Sequence, residues 1–74
     1  MAIYVTSEEK RMLEEELRYL KTDRMKDVVE TMETAISMGD LHEYAEAKEY
    51  MEKIKAHIAE LEDVLKKIVV KDTL

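Results

Sequence analysis

Eight apolar residues of the C-terminal half, Tyr44, Ala47, Met51, Ile54, Ile58, Leu61, Leu65 and Ile68, advance by alternating steps of three and four through four heptads. Such spacing draws one narrow stripe along a helix, the seam of a coiled coil, and a chain that carries it needs a second helix to cover it. The N-terminal half offers one. Leu13, Leu17, Leu20, Val28, Met32 and Ala35 share a face, and with Arg24 counted as the missing step their mean spacing is about 3.7, close to the helical period. Between the two stretches stands Gly39, the one glycine of a chain without proline. Just past the last apolar position of a helix, a glycine takes up the left-handed conformation at little steric cost and closes the helix.

A turn of two or three residues at Gly39 folds the helices antiparallel, and the seams then register. Ile36 faces Tyr44, Met32 faces Ala47, Val28 or Val29 faces Met51, Leu17 faces Leu61, and Leu13 faces Leu65. The residue numbers of each pair add to about 78 to 80, a constancy that a wrong pairing would break. The predicted fold is therefore all-α, an antiparallel two-helix coiled-coil hairpin in a single domain over residues 1–74, with helix 7–38, tip 39–41 and helix 41–68. Thr6 caps the first helix, with Glu9 reaching back as the second half of a capping box. Asp40 caps the second, with Glu43 three residues on as the reciprocal acceptor. Ile3-Tyr4-Val5 and Val69-Val70 are β-prone, which predicts short extended termini meeting at the base. Arg24 enters the seam at the level of Ile54 and Lys55, where a polar residue fixes register or snorkels out to water.

The formal charge of −6 argues against sequence-independent binding to a nucleic acid backbone. Its distribution is more informative. From 27 to 47 there are six acids (Asp27, Glu30, Glu33, Asp40, Glu43, Glu46) and no Lys or Arg, whereas the other 53 residues hold twelve acids and twelve bases. A first helix of about 32 residues makes a rod nearly 50 Å long at roughly 1.5 Å per residue. The acidic window is its distal third. With no cysteine and no apolar run longer than five residues, the chain has no disulfide and no membrane span, and it reads as cytoplasmic.

In Gly39-Asp40-Leu41-His42-Glu43 the two carboxylates stand three apart on the first turn of a helix, their Cβ atoms about 5–6 Å apart on one face. They suit a hard cation such as Mg²⁺, which takes oxygen ligands and is commonly held by one or two carboxylates plus water and partner oxygens. Two carboxylates alone make an open site, so Mg²⁺ binding by the isolated chain is expected to be weak or absent. Asp-x-x-Glu at a helix start is equally a capping box, a reading that leaves the exclusion of bases around it unexplained. His42 stands beside Glu46 at i+4, His57 adjoins the seam without a role, and Tyr44 and Tyr50 have no neighbouring basic cluster in the sequence. Nothing resembles a Gly-rich phosphate loop, a nucleophile with its base or a zinc ligand set.

Thr6-x₆-Leu13-x₂-Glu16-Leu17-x₂-Leu20-Lys21, followed by Ala35-x₃-Gly39-Asp40-Leu41-x-Glu43-x-Ala45-Glu46, resembles the N-terminal coiled-coil domain of the bacterial Gre transcript cleavage factors over essentially the whole chain. The resemblance implies a transcription elongation factor domain that is not an enzyme by itself. In that family the hairpin enters the secondary channel of RNA polymerase and tip carboxylates, here Asp40 and Glu43, help hold a Mg²⁺ shared with the polymerase active site. The RNA 3′ end is then met only inside the polymerase complex, where hydrolysis of backtracked RNA is stimulated. The chain departs from the family at Tyr44 and Ala47, where Asn and Tyr are usual, at Glu9 in place of a glycine, and at Met25-Lys26 in place of Arg-Pro. It ends about where a linker to the family's C-terminal polymerase-docking domain would begin, and that domain is expected to be absent. Two alternatives stay open: a channel-occupying inhibitor of the same fold, and a structural hairpin that forms a weak homodimer through Tyr19, Val29, Ile36 and the terminal apolar residues.

Overall fold

The computed structural model describes residues 2–73. The chain runs β1 (Ile3–Val5), α1 (Ser7–Tyr19), a π-helical turn (Leu20–Arg24), α2 (Met25–Met38), α3 (Leu41–Lys67) and β2 (Ile68–Val70). α1, the π-turn and α2 follow one another without a break, and α3 returns along them, so the molecule is an all-α hairpin measuring 57 × 20 × 12 Å.

The seam residues of both helices are buried or half-buried along the full length. Val28, Ala47 and Ile54 form the central cluster, with Met25, Met32, Met51 and Ile58 packed against it. Near the tip the phase differs from the expected pairing. Ile36, expected opposite Tyr44, is 63% exposed, and Ala35 at 2% is the buried residue at this level. Likewise Val28 is buried and Val29 is not. One residue turns a helix by about 100°, so a single step carries a side chain off the seam.

The first helix is not α-helical throughout, as the span 7–38 implied, and the sequence holds the reason. Leu13, Leu17, Leu20 and Arg24 advance by four, three and four, which makes position 27 the next seam site. That residue is Asp27, and the apolar residue, Val28, comes one position late. An unbroken α-helix would carry Asp27, Thr31 and Thr34 into the seam, and burying an unpaired carboxylate costs several kcal/mol (about 2–7 even for a neutral polar group). A π-turn takes up one extra residue and restores the phase. It forms at this place, with the Met25 N–H donating to the Leu20 carbonyl five residues back. Arg24 is thereby half-buried and leans along α3, its guanidinium carbon 5.1 Å from the centroid of the Tyr50 ring.

At the base, Thr6 forms a full capping box. Its Oγ1 accepts from the Glu9 N–H at 3.1 Å and its own N–H donates to Glu9 Oε1 at 2.8 Å. β1 and β2 pair in parallel, Ile3 opposite Ile68 and Val5 opposite Val70. Ile68, expected as the last helical residue, is instead extended (φ −80°, ψ 148°), because its backbone joins this ladder. The tail is tied down further, as the Lys71 N–H donates to the Val5 carbonyl at 2.7 Å. Asp72 Oδ1 accepts from the N–H and hydroxyl of Ser7 at 2.6 and 2.9 Å, placing a carboxylate on the positive end of α1.

Two outcomes are expected in thermal unfolding followed by circular dichroism. Deleting Asp23 leaves the seam in regular steps of four and three, with Met25 in place of Arg24, and should give a continuous α-helix no less stable than the parent. Ile54→Ala removes the centre of the cluster and should cost about 2–5 kcal/mol, enough to unfold much of so small a domain.

Candidate functional site at the hairpin tip

Gly39 is the turning point of the chain, with φ +68° and ψ 21°. A Cβ placed on it would meet nothing within 4 Å, so the requirement for glycine is conformational rather than spatial. The Gly39 N–H donates to the Ile36 carbonyl at 3.1 Å and the Asp40 N–H to the Ala35 carbonyl at 2.8 Å, the paired bonds of a Schellman motif. α3 begins at the next residue. Asp40 Oδ1 accepts from the Glu43 N–H at 2.9 Å, and the Asp40 carbonyl accepts from the Tyr44 N–H at 3.1 Å.

The expected reciprocal half of this cap is missing, for a physical reason. At the start of α1, the Thr6 N–H is free to bond Glu9. At the tip, the Asp40 N–H is already committed to Ala35, because one residue both closes α2 and opens α3. Glu43 has nothing to cap. Among the described residues its carboxylate takes part in no hydrogen bond or ion pair within the chain; it is exposed and borders a groove of about 300 Å³ between α2 and α3 with Arg24, Asp27, Thr31, Glu46 and Tyr50. Val28 and Ala47, both buried, also line it.

The two sequence-predicted site residues are thus held together through the Asp40–Glu43 backbone bond, and both face water. Asp40 keeps one carboxylate oxygen uncommitted and Glu43 keeps two. That donor set matches a hard cation in kind, but it falls short of the six oxygens Mg²⁺ requires. Among the described residues no three His, Cys, Asp or Glu side chains are grouped to hold a metal, so any ion here would be completed by another molecule's oxygens.

The electrostatics of the window follow its composition. Among the described residues its one contact between a basic and an acidic side chain is His42 Nε2 to Glu46 Oε1 at 2.9 Å, on exposed side chains. The remaining pairs lie along the shaft, including Lys21–Glu62 at 3.4 Å and His57–Glu16 at 3.6 Å across the helices. His57, given no role in the sequence, therefore flanks the seam as a cross-helix partner.

Two features escape a reading along the chain. Tyr50 does have basic neighbours, since Arg24 arrives from the opposite helix, and Lys53 and His57 line the same small cleft. Met38 and Leu41 flank the turn at 78% and 79% exposure. Their signal was present in the sequence, as apolar residues off the seam on either side of Gly39.

Asp40→Ala should cost about 1 kcal/mol through loss of the N-cap, whereas Asp40→Asn, an equally good cap, should cost little. Glu43→Gln should leave stability unchanged because its side chain holds nothing in the fold. Urea titration of the three variants checks this order.

The profile of the transcription elongation factor N-terminal family, shared by GreA and GreB, matches residues 3–70. The transcription elongation factor GreA of Halalkalibacterium halodurans is 46% identical over 66 residues, covering 85% of this chain and 42% of that protein. The GreA of Shouchella clausii is 46% identical over 69 residues, covering 89% and 44%. That of Bacillus cereus is 41% identical over 73 residues, covering 93% and 46%. The chain spans less than half the length of these relatives. No solved structure matches.

Proposed function

The chain belongs to the GreA/GreB family of transcription elongation factors, as its N-terminal domain, and from that premise we propose that the hairpin acts at RNA polymerase as a probe whose tip carboxylates assist cleavage of backtracked RNA. The observation that carries this reading is Glu43. Its carboxylate is released from capping, in no ion pair among the described residues, and held at the end of a rod 57 Å long and 12–20 Å across, dimensions suited to entering a channel.

Asp40 and Glu43 are the residues that would hold a Mg²⁺ together with oxygens of the polymerase. Such an ion supplies Lewis-acid stabilisation and lowers the pKa of a bound water in phosphoryl hydrolysis. The chain's own contribution is placement. Gly39 sets the direction of the turn, Asp40 fixes its carboxylate through the Glu43 N–H, and the seam stiffens the shaft behind them. No Lys or Arg stands between 27 and 47, and Arg24, which reaches the groove from the shaft, lies over the Tyr50 ring, which leaves these carboxylates available to a cation brought by the partner.

The test is transcript cleavage in stalled elongation complexes supplied with the 74-residue chain. Asp40→Asn and Glu43→Gln keep the cap and the fold. Each should lower the stimulated rate at least as much as the 10–100-fold cost that follows loss of an outer-shell metal partner. Rates equal to the parent in both variants would overturn the metal role, and a parent chain that slows cleavage would identify a channel-occupying inhibitor instead.

A further inference from the structure

We propose that Met38 and Leu41 form an apolar anchor that seats the tip in a protein pocket with a basic rim and an apolar floor. The identity of that pocket, a site within RNA polymerase, rests on the function proposed above.

Met38 and Leu41 are the most exposed large apolar residues among those described, at 78% and 79%. Neither serves the hairpin. Both lie off the seam, Met38 as the last residue of α2 and Leu41 as the first of α3, where a polar side chain would fit as well. One exposed leucine on a surface is ordinary. Here two stand on either side of a turn whose backbone is pinned by the Gly39–Ile36 and Asp40–Ala35 bonds, so they have no route to fold back onto the chain. Apolar surface held out at the extremity of a thin rod is covered by whatever the tip enters.

Charge selects the occupant. The window around the anchor carries six acids and no Lys or Arg. A second tip would bring like charges together, and a nucleic acid backbone or an anionic lipid surface would be repelled in the same way. A protein pocket with Lys or Arg at its mouth and apolar side chains beneath satisfies both properties at once, placing the other acids of the window at a polar rim and Met38 and Leu41 at a desolvated centre. Methionine suits such a centre because its flexible thioether adapts to an irregular floor. On this division the anchor sets how tightly the tip is held, and Asp40 and Glu43 set what happens there.

The experiment titrates RNA polymerase against the 74-residue chain labelled at its base, and measures cleavage at saturation in parallel. Met38→Gln and Leu41→Gln should each raise the half-saturating concentration about tenfold, the effect of losing one buried side chain. Maximal cleavage should be unchanged. Glu43→Gln should do the reverse, lowering maximal cleavage at an unchanged half-saturation. Glutamine variants that saturate like the parent, or that lose only maximal rate, would overturn the anchor. So would a parent chain that sediments as a dimer dissolved by the double variant, which would assign the patch to a second copy. Anchor-dependent binding without cleavage would overturn the catalytic reading alone, and a parent chain that does not bind would overturn both.

Discussion

Burial in this molecule is a single file of side chains between two helices, and every other feature answers to the phase of that file. Each helix is covered from one side only, so an error of one residue cannot be absorbed by a second layer. The first helix has one residue more than a regular seam would seat, and the surplus appears as the π-turn at Leu20–Arg24. The alternative, an unbroken α-helix, would trade Val28, Met32 and Ala35 for Asp27, Thr31 and Thr34 in the interior. The irregular turn is the less costly arrangement, and through it the helical phase at the base is reconciled with that at the tip.

Economy of another kind governs the turn. With two residues between the helices, the closing motif of α2 and the opening cap of α3 overlap on Asp40, and its one N–H cannot serve both. The Schellman bond takes it. That competition turns a sequence pattern that reads as a self-satisfying capping box into a cap with one free carboxylate. Asp40 has a structural part and retains an oxygen for other work, while Glu43 has no structural part.

Much of this was legible in the sequence because it is periodic or local. The seam of α3, the Thr6–Glu9 box, the left-handed Gly39 and the extended ends each depend on residues within a few positions of one another or on an unbroken repeat. The π-turn was visible as the late arrival of Val28, yet averaging the first helix to about 3.7 residues per step spread the surplus evenly and hid where it lay. Setting Ile36 opposite Tyr44 stepped off the helix's apolar face by one residue, since Ala35, already on it, is the buried one. Asp40 and Glu43 could be singled out from spacing, but the release of Glu43 follows from two overlapping motifs contending for one donor, and spacing does not register that. Arg24 over Tyr50 is a contact between helices, 26 residues apart in the chain, that no reading along one helix can supply.

The separation of a charged end from a neutral shaft also acts before any contact is made. The stretch of α2 from Asp27 to Met38 covers roughly 18 Å at 1.5 Å per residue, about two screening lengths at physiological ionic strength. In the field of a positively charged opening, the pull therefore falls on one end of the rod and exerts a torque on the remainder. A rod so pulled would arrive end-on, which would shorten the orientational search that ordinarily slows docking of an elongated body.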